Sequence, residues 1–538
     1  MTIEKKTTNS KKKYVESAKD IIAYKYNNQF VYPLSDTNEQ DKYVKISINS
    51  MEGKKIYQDF LIFLLNMATY RLYGTTRKNY IEHSIGDGVY FEVVDQKIGK
   101  VNGEAEDIAK LKKEIKMLIE EKIFIDRVTI SIDAAYDLMK SFDRSDVIKN
   151  LDFHNQRFVY IYKANDYYDY YPRSLPFNTG CSVDFDILPL HDGFILRFLS
   201  ISPDKKKFEL PKLLFSQYIE HKNWIKILNI ESVGDINRLI HKRKIRDFIL
   251  TEEALQEKKI AHIADSILMK KSVKFVLIAG PSSSGKTTFA KRLAIQLRVN
   301  GYQPIVLGMD DYFLPRSQTP KLPNGDYDFE NIHALDLKLL NSDLTKLIKG
   351  EEIRLPRFNF ITGEREESNH YLKLGPENIL VMEGIHGLND LLTSAIDKQN
   401  KYKIYISALN QLNLDHHNRI PTTDCRKIRR IVRDSMTRGY TAEETLARFP
   451  AITAGESTNI FPFQECADSM FNSSLTFELA VLRKHVMPLL RAIDYKSPVY
   501  NEAQDLIALF EHFLDINDDF VLNNSILREF ISNSVFEY

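Results

Sequence analysis

Cysteine is scarce in this chain, with Cys181, Cys425 and Cys466 the only three among 538 residues. They are too few and too far apart to frame a secreted fold, so the sequence predicts ordinary thiols in a reducing compartment. Net charge is missing as well. Lys and Arg number 74 against 73 Asp and Glu, a formal +1. That balance excludes a nucleic-acid-coating protein or an acidic solvating tail and confines any charge-based function to local clusters. The first twenty residues, MTIEKKTTNSKKKYVESAKD, lack the apolar stretch of about 7–15 residues that a secretory signal needs. The best apolar run, 60–68, is interrupted by Asn66 and reaches about half the ~20 residues of a membrane helix. These absences predict a cytoplasmic protein with no membrane span. There is no solenoid repeat, and no low-complexity block beyond the N-terminal lysines.

Apolar material is plentiful, at 43% hydrophobic and 11% aromatic residues, which supports packed cores and excludes wholesale disorder. The length exceeds the ~100–200 residues of one domain. We divide it into a flexible basic tail (1–13), an α+β region (14–225), a polar helical connector (226–270), an α/β domain (271–495) and a helical C-terminal extension (496–538). In the first half, β-like runs such as YVKISI, VYFEVV, FVYIYK and GFILRF alternate with helical patterns near 57–72 and 107–121. In the second, VKFVLIAG is the continuous apolar run of a buried parallel strand, followed by a glycine loop and the amphipathic KTTFAKRLAIQLR. PIVLGM, NILVME and KIYISA are further buried-strand candidates, spaced for crossover helices.

The loop Gly280-Pro281-Ser282-Ser283-Ser284-Gly285-Lys286-Thr287 matches GxxxxGK[ST] in full, between a predicted strand and a predicted helix. Its glycines let successive N–H groups turn toward phosphate oxygens at a helix N-terminus. Lys286 would reach the β- and γ-phosphates of ATP and Thr287 would carry Mg²⁺, leaving Thr288 to cap the first turn. The acceptor side decides what such a loop does. Asp310 ends the second β-like run, where a carboxylate can take the proton of an attacking hydroxyl, although an Asp pair there can also cap a helix. Glu383 ends the third run and suits the metal, with a structural hydrogen-bond acceptor as its alternative. A basic cluster follows. In DCRKIRRIVRDSM, Arg426, Arg430 and Arg433 share one helical face, with Arg429 beside them, as a phosphate clamp or a solvated charged face.

The series GPSSSGKTT, DDYF, DYDFENIHALD, LPRFNFITGERE, VMEGIHGL and RRIVRD resembles the uridine kinase and phosphoribulokinase group of phosphate-loop kinases over about 272–495. That resemblance implies Asp310 as general base and Asp328, with Tyr327 in the same DYDF segment, at the ribose hydroxyls. It places Arg429, Arg430 and Arg433 on a lid helix for ATP and substrate phosphates, with Arg426 toward the acceptor. One departure stands out: the tyrosine and histidine that read a pyrimidine in uridine-cytidine kinases are Phe358 and Gly363 here. Phe358 and Phe360 could still stack on a flat ligand or simply pack in the core. The full-length pattern resembles a long nucleoside-kinase-like subfamily whose first half is similar to the N-terminal and second additional domains of threonyl-tRNA synthetase. IGDGVYFE, 85–92, carries that likeness. The synthetase HxxxH metal pair is absent; Asp59 and Phe63 stand in its place, and His83 alone makes no zinc site. His416 and His417 read as surface or lid residues.

These features together predict an ATP- and Mg²⁺-dependent kinase acting on a small acceptor, a nucleoside 5′-hydroxyl first. Another small alcohol is the enzymatic alternative. An RNA- or tRNA-binding regulator with an ATPase switch is the alternative of another class, and 237–245, NRLIHKRKI, would be its local basic surface. Self-association into a homo-oligomer is left open.

Overall fold

The computed structural model describes residues 20–31, 43–101, 105–154, 156–202, 207–321, 325, 327–359, 362–366 and 368–537. The basic tail 1–13, Asp326 and Phe360 therefore lie outside the described residues. Among those described, no helix is long and apolar enough to cross a membrane.

Five parallel strands form the sheet of the second half, in spatial order Gln303–Gly308, Asn378–Glu383, Phe275–Ala279, Lys401–Ser407, Ser469–Asn472. Phe275–Ala279 is buried at every position, as a strand covered on both faces must be. It is first in the chain yet central in the sheet, so connections run to both sides and a crevice opens at its carboxyl end. Lys401–Ser407 is also buried throughout. Its two lysines reach polar partners, Lys401 Nζ donating to Thr393 O at 3.1 Å and Lys403 Nζ to Asp390 Oδ1 at 2.6 Å. Helix Lys286–Val299 turns Phe289, Ala290, Leu293, Ala294 and Leu297 into the core at helical spacing.

The first half is antiparallel. Arg77–Ile85 and Gly88–Asp95 form a hairpin that pairs Ile85 with Gly88, and Gly86 makes the tight turn at φ +58°. Asp186–Leu190 and Gly193–Arg197 extend this sheet. Helix Met51–Tyr73 starts on a Ser50 cap and is buried nearly all round, which explains its apolar run without any membrane. Asp59 and Phe63 are structural here. Asp59 accepts from Arg173 Nε at 2.6 Å and Nη2 at 2.9 Å, and Phe63 packs edge-on against Tyr167 and Tyr171.

His416 and His417 are not surface residues, which corrects the expectation above. They lie in a loop, not a strand, and fasten it to the first half. His417 Nδ1 meets Asp169 Oδ2 at 2.7 Å, and His416 packs on Tyr80 with its ring tilted by 39° and the ring centroids 4.2 Å apart. Buried Arg144 gathers Asp146, Asp169 and Asp415 at the same junction. A guanidinium removed from water needs such partners.

Helix Ile245–Met269 joins the halves. Its Glu252 accepts hydrogen bonds from the Thr476 hydroxyl and, at 2.9 Å, from Thr476 N. Burial pushes Glu252 up to about 8 from an ordinary 4.5. The folded state thus holds this proton more tightly, and the associated stability is present below the unfolded value and lost as pH rises through about 8. We expect Glu252→Gln to melt close to wild type in mild acid and to overtake it by about 2–4 °C in mild alkali. Melting curves across that range check this; a pH-independent offset contradicts it.

Candidate active site

The phosphate loop leaves the central strand at Gly280, where a Cβ would stand 2.1 Å from Ile406 O. No side chain fits there. Gly285 enters helix Lys286–Val299 in the left-handed region at φ +79°, and Ser283 also has positive φ, 60°. The buried hydroxyls of Ser283 and Ser284 have no hydrogen-bond partner among the described residues. Orphaned donors in a curled loop at a helix N-terminus make a cradle of the kind phosphate fills. Lys286 Nζ reaches back over the loop and donates to Pro281 O at 3.1 Å.

Three carboxylates surround Lys286. Thr287 Oγ1 donates at 2.9 Å to Glu383 Oε1, at the carboxyl end of strand Asn378–Glu383. Burial pushes Glu383 up to about 7, with Lys286 opposing and Asp310 reinforcing the shift. Asp310 sits in the turn Met309–Tyr312, directly after strand Gln303–Gly308, and faces the open cleft. The cleft walls raise its pKa by desolvation, Lys286 pulls it down, and Asp311 adds to the rise. The third is Glu330, which motif reading passed over. Burial and then Glu456 push it up to about 7, against Lys286 and Arg430. It lies within DYDFENIHALD, where the resemblance assigns roles only to Tyr327 and Asp328. Among the described residues, no group of three or more His, Cys, Asp or Glu could hold a metal by itself. Thr287 with Glu383 instead suits Mg²⁺, which takes one or two protein oxygens and completes its shell with phosphate and water.

The arginines occupy helix Thr422–Thr437 as predicted, but two are committed elsewhere. Arg426, expected toward the acceptor, is 2% exposed, pairs with Glu456 and donates from Nε to Ser282 O at 2.9 Å. Arg429 is fully buried against Glu478 and donates to Ser283 O and Ser473 O, at 3.4 and 3.0 Å. Both brace the loop through its carbonyls. A cation at these depths needs a carboxylate, so neither is a free clamp. Arg430 Nη1 donates to Ser282 Oγ at 2.5 Å. Arg433 remains at the rim on Asp434, with Nε at 3.0 Å, and Asp434 also draws Arg430 and Arg438.

On the acceptor side, Asp328 is half-buried and accepts from Asn331 Nδ2 at 3.2 Å. Tyr327 is exposed and tilts against Phe329. Phe358 belongs to the core, packed on Phe313 at 5.7 Å. Gly363 has φ +73°, and the Arg316 side chain crosses the space a Cβ would take, 2.3 Å away. His386, which the motifs contained but no role absorbed, is buried within electrostatic reach of Asp328; burial pushes it down to about 4.

Residues 275–479 match the model of the Phosphoribulokinase / Uridine kinase family. The uridine kinase of Deinococcus deserti is 28% identical over 172 residues, spanning 32% of this chain and 73% of that protein. The uridine kinase of Borrelia duttonii is 29% identical over 205 residues, spanning 36% and 84%. A solved Bacillus stearothermophilus chain described as a possible uridine kinase has 22% identity and a TM-score of 0.23, covering 28% of this chain and 79% of that one. The matched segment has the fold of a phosphate-loop kinase, and a separate α+β region precedes it in the chain.

Proposed function

We propose that the protein transfers the γ-phosphate of ATP to a hydroxyl of a small ribose-containing acceptor, the 5′-hydroxyl of a nucleoside such as uridine or cytidine. The observation that carries this is the convergence of Asp310, Glu383 and Thr287 around Lys286 at the carboxyl end of the central strand. The family match over 275–479 supports the same class of reaction. ATP supplies the phosphoryl group, and Mg²⁺ held by Thr287 and Glu383 supplies positive charge to its oxygens. Asp310 takes the proton of the attacking hydroxyl. Lys286, with Arg430 and Arg433 at the rim, offsets negative charge on the transferring group. Asp328 and Tyr327 orient the ribose, and Arg426 and Arg429 hold the loop in shape. Catalysis is then positioning and electrostatics rather than covalent chemistry.

A different small alcohol is favoured as second reading by one feature. Phe358 is buried in the core and Gly363 is overlaid by Arg316, so the two places the resemblance assigns to pyrimidine recognition offer no base-facing hydrogen bond. The likeness of 14–225 to the synthetase module belongs to this proposal as well, supported by the Gly86 hairpin in IGDGVYFE.

Single-turnover transfer of γ-labelled phosphate to a panel of nucleosides, sugars and other small alcohols tests the proposal. Label is expected on a nucleoside. Label on another alcohol selects the second reading, and label released only as inorganic phosphate overturns the kinase. That last result would turn attention to RNA binding, for which His241, Lys242, Arg243 and Lys244 form an exposed basic turn.

A further inference from the structure

Two carboxylates from distant parts of the chain hold polypeptide donors of the phosphate loop. Ser282 N donates to Glu456 Oε1 at 2.8 Å. At the other end of the loop, Thr288 donates its N–H at 3.2 Å and its hydroxyl at 2.7 Å to Glu529 Oε2. The two differ in kind. Glu456 is fully buried and paired with Arg426, so it is a fixed strut. Glu529 is half-buried, lies on the short helix Arg528–Ile531 near the end of the chain, and has no ion pair among the described residues. Its neighbours complete the closure. Ile526 Cγ2 sits where it would stand 2.5 Å from a Cβ on Gly285, and the Arg429 guanidinium lies over the Phe530 ring at 5.0 Å.

The N–H groups of a helix's first turn are unsatisfied within the helix and carry its positive end, which is why such loops bind phosphate. A carboxylate there satisfies the same need with the same sign of charge. It cannot share Thr288 with a phosphate oxygen without like-charge repulsion in a poorly hydrated site.

We infer that Glu529 is an internal competitor for nucleotide phosphate: a C-terminal clasp that closes the phosphate loop and moves off Thr288 when ATP takes its N–H and hydroxyl. This rests on ATP binding at the loop, as proposed above. ATP affinity is then set by the short helix Arg528–Ile531 as well as by the loop. Because Phe530 packs on Arg429, which also contacts Ser283 O, clasp release is also felt by helix Thr422–Thr437.

The test compares full-length wild type with Glu529→Gln, which keeps an acceptor oxygen but removes the charge. Titration with ATP and Mg²⁺ is expected to give a dissociation constant about tenfold lower for the variant. In the wild type alone, which needs no folded variant, saturating ATP is expected to increase amide exchange over 526–531 while protecting 282–288. Equal, measurable affinities, or C-terminal exchange indifferent to ATP, overturn the clasp and leave the kinase proposal standing. Absence of ATP binding to both proteins overturns the two together.

Discussion

Replacing Asp310 with asparagine is expected to cut kcat by about 10²–10⁴-fold while ATP affinity changes by less than about twofold. Asparagine keeps the shape of the group and removes its capacity to accept a proton. Asp310 sits in a turn after its strand, within electrostatic reach of Lys286, and asparagine keeps its shape, so the loss is expected on the chemical step more than on nucleotide binding. The pH profile should carry the same signature. Asp310 must be ionised to act as base, and the cleft raises its pKa above the ordinary 3.8. Activity should therefore climb with pH through an inflection above 3.8, and that limb should vanish in the variant. Rapid-quench measurement of labelled product, alongside equilibrium ATP binding, separates the two effects. Unchanged turnover would remove Asp310 from the base role.

The second large effect is on stability. Arg429→Met is expected to cost about 3–5 kcal/mol of folding free energy, the range seen when one partner of a buried ion pair is removed. Arg429 is fully buried and Glu478 is 1% exposed, so truncation leaves Glu478 charged and without its partner. Ser473 Oγ loses its donor at 3.1 Å, and Phe530 loses the cation over its ring. Replacing both partners with apolar side chains should recover part of the loss, because the uncompensated charge goes too. Chemical denaturation of the single and double variants measures this. A stable Arg429→Met protein with a weakened ATP affinity would instead return Arg429 to the direct phosphate-binding role that its motif suggests.

The parts of the fold legible from sequence are those encoded over a few residues. VKFVLIAG, NILVME and KIYISA are apolar enough in succession to be buried strands, and all three take that place in the sheet. The strand Ser469–Asn472 escaped notice because four residues, two of them polar, carry too little pattern to stand out. Helix Met51–Tyr73 was placed by its apolar content, but its burial on nearly every side is a matter of what packs around it.

The candidate site divides in the same way. Sequence alone determined the phosphate loop and the ends of the strands beside it, because glycine, lysine and threonine at set offsets dictate a backbone turn and what that turn can bind. Asp310 and Glu383 are legible as candidates by the same logic, each following an apolar run. Only the tertiary structure decided the charge partners. Glu456 reaches Ser282 across 174 residues of chain and Glu529 reaches Thr288 across 241. No local spacing encodes such pairs. It also turned Arg426 and Arg429 from clamp candidates into braces, since a buried guanidinium settles on whichever carboxylate the fold delivers to it. The near-zero net charge is fixed by composition, but which acid neutralises which arginine is not: Asp434 serves Arg430 within the same helix, whereas Arg426 and Arg429 meet Glu456 and Glu478, which come beside them only once the chain is folded.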